Sequence, residues 1–566
     1  MATNRRVFYV GLNMAGAISA GAYTAGVIDF FIDALDTLYE KRREQAARYG
    51  EDFSRWEIPA HEVRLVAFSG ASAGGMTSAI AAATLCEAFT PVRSPMPARA
   101  PNRLYKSWVQ DIDLSYLLQD QDLKAATAPV VSLLDSTQID KIAADAVHVL
   151  NPLPQKRPYV SEGLKVILTL TNVGGVPYAT ESNDGNDETQ TLYRADQADF
   201  EVRWDGTRAA GEALTLSPVS ADNWDELAQA AKATGAFPIA LAPRSLNRNT
   251  TMYNRREWRS SQADPQVVDG RCQCEYFAEM PPNWDYSDGI PFRTLNVDGG
   301  VTNNNPFECA HQELLKQEPT QSLGHNPRSG EQADRAVISI APFLSTPTFD
   351  LQTPPSANLT ALVGELIDTV VNQSRIQGEN LKLTRDPTVF SRWAISPSID
   401  DTTRNALASA SLGAFGGFIA KEFRDHDYQL GRRNCQWFLK RHFGVPLNNV
   451  VVQDYGQTQN FEKQFGMTLL DGSSGIALIP LLGPLDPDTN PIPEVHVKIP
   501  QDRLQPIVDA AAKRLKLVAS RLVTGGQGGW LKGIGFDALW LVVQGPLKRA
   551  LSEKMGRDLA RQNLIA

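Results

Sequence analysis

One serine stands in a pattern that would expose its hydroxyl. Gly70-Ala71-Ser72-Ala73-Gly74 is the only strict G-x-S-x-G in the chain; it follows the apolar run 63–68 (VRLVAF) and precedes an Ala-rich stretch of helical character. A serine on such a sharp strand-to-helix turn points outward, and the glycines at 70 and 74 remove side chains that would collide there. The amides and positive dipole end of the following helix face any negative charge that develops nearby. A phosphate-binding loop would need Gly-Lys-Ser/Thr, and no Lys occurs between residues 43 and 105. A plain Gly-rich turn without chemistry is the bland alternative.

A serine hydroxyl becomes a nucleophile only when a base takes its proton. His61, His148, His311, His325, His426, His442 and His496 stand in no motif typical of a hydrolase histidine. The run Leu295-Asn296-Val297-Asp298-Gly299-Gly300 ends an apolar strand in a carboxylate followed by two glycines. In a parallel sheet the carboxyl ends of strands share one edge, so Asp298 and Ser72 are expected to meet there. Acyl transfer also needs donors for an oxyanion. Gly16-Ala17-Ile18-Ser19-Ala20-Gly21, after the first strand, supplies small residues whose backbone amides could serve, with Gly16, Ala17, Ile18 and Ser19 as the candidates. Ser19 lies in a near-elbow of its own and is a second, weaker candidate nucleophile. Metal is not expected: Cys272-Gln273-Cys274 has no second cysteine pair, and two ordinary thiols are the preferred reading.

The elements that must position these groups alternate. Runs 7–10, 63–68, 164–170, 237–242, 294–297 and 336–341 read as core strands, and 22–39 and 73–89 as helices. Strands alternating with helices imply a mainly parallel sheet covered on both faces. Residues 180–225 read as an inserted surface hairpin, 358–383 and 415–443 as helices, and 390–395 as a strand. Leu504, Val508, Ala511, Leu515, Val518 and Leu522 mark one stripe of an amphipathic helix.

The 566 residues, 42% hydrophobic and 21% charged, exclude disorder and rods. A net charge of -9 argues against nucleic acid as a partner. Five cysteines, an odd number, oppose a disulfide framework and favour a reducing, cytoplasmic setting. No run of about 18 uncharged apolar residues is present. Arg5-Arg6 before an apolar stretch could be a cleaved leader ending near Ala22, but a buried strand is the preferred reading. From Lys513 onward ten Lys/Arg face three Asp/Glu, +7, which leaves -16 for residues 1–512. Trp530, Phe536 and Trp540 lie among those bases. Region 503–566 is therefore a candidate for peripheral contact with anionic membrane, with a core helix of 539–543 and a solvated basic face as the alternative.

In order, a Gly-rich loop after the first strand, G-x-S-x-G after the next and D-G-G far downstream resemble the patatin-like phospholipases. The resemblance covers roughly 5–345 and extends to about 445, where FRDHDYQLGR (423–432) is similar to the end of bacterial members. It implies a three-layer α/β/α hydrolase fold and lipid acyl hydrolysis without a cofactor, on lipid or phospholipid substrate. It also implies Ser72 as nucleophile, Asp298 as base, and backbone amides of 16–19 as oxyanion donors, with Gly70, Gly74, Gly299 and Gly300 shaping the turns. One departure stands out: the family's loop is usually G-G-G-x-R-G, and here Ala20 occupies the place of the Arg. The expected organisation is a catalytic domain 1–445 (core 5–345, helical continuation 346–445), a Pro/Gly-rich linker or loop region 446–502, and a basic amphipathic helical region 503–566. Two other readings stay open: a serine esterase or acyltransferase using a His, with His311 first in line, and a non-catalytic lipid-binding scaffold. Arg424, His426 and Asp427 could join the site, though a structural ion-paired turn is preferred.

Overall fold

The structure, a computed structural model, describes residues 6–125, 128–151, 156–180, 189–209, 213–268, 271–317, 326–343, 383, 386–400, 405–453, 458–524 and 530–566. Its centre is a nine-stranded sheet. The strands are β1 (Val7–Met14), β2 (Glu62–Gly70), β3 (Val160–Thr180), β4 (Thr189–Val202), β5 (Leu214–Leu216), β6 (Arg244–Asn249), β9 (Pro291–Asp298), β10 (Arg335–Ile340) and β11 (Arg392–Ile395), with a separate hairpin of β7 (Glu257–Val268) and β8 (Arg271–Glu279) between β6 and β9. Along the sheet the order is β11-β10-β1-β2-β3-β4-β5, and β11 through β3 run parallel.

Parallel strands covered on both faces have no polar side, and all six residues of β10 are buried. Ala336 and Ile338 pack into the main core, while Val337 faces Phe307, Ala310 and Leu314 of a helix on the other face. The helices used below are α1 (Gly21–Tyr49), α2 (Ala73–Leu85), α3 (Thr137–Val147), α4 (Trp224–Thr234), α5 (Phe307–Leu315), α6 (Lys421–Arg441), α7 (Leu504–Thr524) and α8 (Trp530–Arg561). The segment 18–49 is long and apolar enough to cross a membrane, yet its most apolar stretch is almost wholly buried in this fold. It crosses α6 at contact distance: a Cβ on Gly26 would lie 1.9 Å from the Tyr428 carbonyl, and one on Gly431 would lie 2.1 Å from that of Tyr23. Arg432 of α6 pairs with Asp29 and, at 3.2 Å, with Asp33 of α1, all of them buried.

Several expectations are corrected. Residues 237–242 are not a strand: Pro238 lacks an N–H, Ile239 sits at φ +68°, and the bonds Ala240 N to Pro238 O and Leu241 N to Phe237 O close successive turns. Within 180–225 the dominant element is the long strand β4, which forms an antiparallel hairpin with β3 as part of the main sheet and not as an insertion on its surface. The strand ending in Asp298 is not parallel to its neighbours. β9 pairs antiparallel with β3, Leu170 opposite Asp298, and with β6 on its other side.

The segment weighed as a leader contains β1, a central strand between β2 and β10. The helix expected over 358–383 lies outside the described residues apart from Leu383, as do the side chains of Cys272, Cys274, Trp530 and Phe536. Residues 446–502 include a helix (Thr458–Phe465), and a small antiparallel sheet is formed by β12 (Gly444–Pro446), β13 (Gly466–Thr468) and β14 (Ser474–Ala477). Leu478, Ile479 and Leu485 of this stretch are buried in the main core. At the C-terminus α7 and α8 pack together, and Leu504, Val508, Met555 and Leu559 share a cluster with Phe423.

Candidate active site

β2 ends at Gly70 and α2 begins at Ala73, so Ser72 sits on the turn between them, at φ +51°. That conformation is costly for serine and is held by its surroundings. The Ser72 N–H donates to the Thr234 hydroxyl at 2.9 Å. A Cβ on Gly74 would fall 2.0 Å from the Met14 carbonyl, and one on Gly70 would fall 2.6 Å from the Gly74 carbonyl. Only glycine lets the turn close against the end of β1.

Asp298 reaches the same edge from the opposite direction. Gly70 is opposite Leu168 of β3, and β3 continues past the end of β2 to Leu170, which pairs with Asp298. The incoming strand β9 thus meets the end of β2 head-on. The Ser72 hydroxyl donates to Asp298 Oδ2 at 2.6 Å, and the Gly300 N–H donates to Oδ1 at 2.7 Å. Two further bonds fix the backbone: Asp298 N–H to Ala236 O at 2.9 Å and the Thr171 hydroxyl to Asp298 O at 2.8 Å. A Cβ on Gly299 would lie 2.1 Å from the Thr169 carbonyl, which explains the first glycine of D-G-G. Asp298 is 3% exposed, and burial pushes its carboxyl up to about 7 even though the Ser72 and Gly300 donors pull it down.

The loop after β1 completes the edge. The Gly16 N–H is spent on the Asn304 carbonyl at 2.9 Å, so Gly16 contributes space and not a free donor; a Cβ there would strike the Asn304 side chain. The N–H groups of Ala17, Ile18 and Ala73 have no acceptor among the described residues. The Ser19 hydroxyl points away from this edge and bonds the 414–417 backbone instead. A pocket opens at Ser72, and its lining is almost wholly apolar; Ile18, Met76, Trp108, Phe237, Phe415 and Phe418 are among its walls.

His311 takes no part in this cluster: its Nδ1 lies 3.2 Å from Glu308 Oε2 and its ring stacks on Phe307. Arg424, His426 and Asp427 lie on helix α6, not in a turn. Asp427 accepts the N–H groups of Ala408 and Ser409 at 2.9 and 3.0 Å, His426 bonds Asp427, and Arg424 pairs with Asp113. Among the described residues no group of three or more His, Cys, Asp or Glu could hold a metal. Thr234, Asn304 and the Phe415–Phe418 wall carried no signal in the sequence. Thr234 is 162 positions from Ser72, and its helix end looks like any other.

The patatin-like phospholipase family model matches residues 12–311, a span that holds Ser72, Asp298 and the loop after β1. The chain is also 33% identical to an uncharacterized protein, y4iI, of Sinorhizobium fredii (strain NBRC 101917 / NGR234), over 92% of this chain and 77% of that protein. A mainly parallel sheet flanked by helices, with the family's match spanning more than half of its length, means that this chain belongs to the patatin-like phospholipase family of lipid acyl hydrolases.

Proposed function

We propose that the protein hydrolyses carboxylic ester bonds of lipids through Ser72 and Asp298. The observation that carries this reading is the 2.6 Å hydrogen bond from the Ser72 hydroxyl to a buried carboxylate, beside an apolar cavity. Ser72 Oγ attacks the acyl carbonyl while its proton passes to Asp298 Oδ2. The carbonyl oxygen becomes an oxyanion, which the N–H groups of Ala17, Ile18 and Ala73 stabilise. Collapse of the tetrahedral intermediate expels the alcohol, which leaves with the proton held by Asp298. Water then attacks the acyl-enzyme, Asp298 takes its proton, and the fatty acid departs as Ser72 recovers a proton.

A carboxylate at its ordinary pKa would be a feeble base toward serine. Burial that lifts Asp298 to about 7 makes it a better one at neutral pH. The apolar cavity suits an acyl chain, and the anionic surface of a bilayer suits the tail of the chain. Leu541 and Val542 on α8 are 71% and 73% exposed, which supports contact with a lipid surface over a core-helix reading of 539–543.

The test is fluorophosphonate labelling together with hydrolysis of a p-nitrophenyl acyl ester and a phosphatidylcholine. Wild type is expected to be labelled and active, and Ser72→Ala neither. Activity retained in Asp298→Asn but lost in His311→Ala would replace the dyad by a histidine-based site. A wild type that is not labelled would favour a lipid-binding scaffold.

A further inference from the structure

The loop that carries the proposed oxyanion donors contains a strained residue. Ile18 is β-branched and sits at φ +46°, a region that β-branched residues avoid. Such a conformation persists only where neighbouring contacts impose it. Ser19, which follows it, is 1% exposed. Its hydroxyl donates to the Ala414 carbonyl, and the same oxygen accepts the Gly417 N–H at 3.0 Å. A Cβ on Gly417 would lie 2.8 Å from that oxygen, so the two segments meet at their closest approach.

The receiving turn is strained as well. Leu412, Gly413 and Ala414 lie at φ +53°, +61° and +74° in succession. It is restrained from two sides. The Leu412 N–H donates to the Asp558 carboxylate of α8, and the Arg424 guanidinium donates to the Gly417 carbonyl at 2.9 Å. Apolar contacts tie the same region to the C-terminal helices: Ala408, Ile419 and Phe423 cluster with Leu504, Val508 and Leu559. Phe415 and Phe418, from this turn and its continuation, line the cavity at Ser72 together with Ile18.

We propose that Ser19 is a positioning residue: through its hydroxyl, the turn at 412–417, and with it the C-terminal helix pair, fixes the placement of the Ala17 and Ile18 N–H groups. This rests on the reading of Ser72 and Asp298 as the catalytic pair. Ser19 touches neither the ester nor the dyad. Its role is to keep Ile18 in a backbone conformation that the residue would not adopt alone. Without the hydroxyl, the Ala414 carbonyl and Gly417 N–H lose their partner, and the loop is free to relax away from φ > 0.

Oxyanion donors act within a narrow range of distance, and a misplacement of about 1 Å costs roughly 100-fold in rate. The experiment compares full-length wild type, Ser19→Ala, Asp558→Ala, the double variant and Ser72→Ala on p-nitrophenyl butyrate and octanoate. In Ser19→Ala, kcat is expected to fall by about 10- to 100-fold, with KM little changed and the pH midpoint of kcat/KM unmoved, because Asp298 is untouched. Asp558→Ala should show the same split with a smaller loss. Both act through one turn, so the double variant should lose little beyond Ser19→Ala alone.

A folded Ser19→Ala with kcat within about twofold of wild type, or a double variant in which the two losses simply multiply, overturns the proposal. Should Ser19→Ala fail to fold, Asp558→Ala decides, and an unchanged kcat there overturns it. Activity surviving in Ser72→Ala refutes the dyad and this proposal with it. Activity lost in Ser72→Ala but unchanged in Ser19→Ala refutes the positioning role alone.

Discussion

Asp298→Asn is expected to stabilise the fold at alkaline pH while abolishing hydrolysis. Asp298 is fully enclosed, and its carboxyl is raised from 3.8 to about 7 by burial. A carboxyl that holds its proton more tightly in the folded chain than in the unfolded one stabilises the fold fully below pH 3.8. That contribution is lost as pH rises through 7. At ~1.4 kcal/mol per pH unit, the whole interval corresponds to about 4 kcal/mol, of which about 2–3 kcal/mol disappears between pH 5 and pH 8.

Asparagine has the same shape and carries no charge to desolvate. Its Oδ1 can accept the Gly300 N–H, and its Nδ2 can donate to the Ser72 oxygen, so both bonds now made by Asp298 keep a partner. The stability difference between variant and wild type should therefore grow in the variant's favour by about 2–3 kcal/mol from pH 5 to pH 8. Urea unfolding of both proteins, followed by near-ultraviolet circular dichroism at pH 5, 6, 7 and 8, reads this difference directly. Curves that shift in parallel over that range would refute the claim that a buried, high-pKa carboxyl occupies position 298. Esterase activity in the Asn variant above a few per cent of wild type would refute its role as the base.

Three further outcomes are expected. The kcat/KM for a neutral ester should rise with pH through about 7 and then level off, because Asp298 must be ionised to accept the proton; a flat profile from pH 5 to 8 would count against it. Gly74→Ala should abolish activity, since the new Cβ would lie 2.0 Å from the Met14 carbonyl and would push Ser72 out of line by the ~1 Å that costs about 100-fold; the same vmax as wild type would exclude a rigid turn. Arg432→Ala leaves buried Asp29 without its cation, while Asp33 keeps Arg93 at 3.1 Å, and should destabilise the α1–α6 pair by about 3–5 kcal/mol in urea unfolding, with kcat of the surviving folded fraction largely preserved.

Local pattern revealed more than orientation did. Apolar runs bounded by Gly located β2 and the start of β3, because strands covered on both faces carry unbroken hydrophobic sequence. β1 extends four residues beyond the apolar run at 7–10: Asn13 lies inside it, buried, with its amide bonded to the Ser339 hydroxyl at 2.8 Å, and a satisfied polar residue looks from sequence like a strand end. The run at 237–242 has strand-like composition, yet Pro238 and the left-handed Ile239 turn it. The turns at 70–74 and 298–300 left a trace in the sequence because Gly70, Gly74 and Gly299 meet backbone atoms that forbid a Cβ, while Gly16 and Gly300 make room for the Asn304 side chain. Whether β9 ran parallel or antiparallel was not legible, since direction depends on which strand pairs with which and leaves no trace in residue periodicity. Thr234 and the 412–417 turn were invisible for the same reason: their roles arise from contacts across 162 and about 400 positions of chain.

The antiparallel approach of β9 would also account for the chemistry that the proposed Ser72–Asp298 site requires. Had Asp298 ended a parallel neighbour of β2, its strand would have lain beside the serine's own. Instead β3 overruns β2, and β9 comes in along that overhang, so its last residue closes the sheet edge under the Ser72 turn. The Gly299-Gly300 turn then folds back against Thr169 and covers the carboxylate, which leaves Asp298 3% exposed. Exclusion of water is what raises its pKa to about 7, which in the proposed mechanism gives the carboxylate the basicity that a histidine would otherwise supply. Among the described residues no Lys, Arg or His lowers the Asp298 pKa; the downward influences are the Ser72 hydroxyl and the Gly300 N–H. Placing a positive charge there should therefore weaken the base. Thr171→Lys, beside the Asp298 carbonyl, is expected to move the pH midpoint of kcat/KM below 7 and to lower its alkaline plateau, if the variant folds; a midpoint that rises instead would show that the carboxylate's basicity does not come from its isolation.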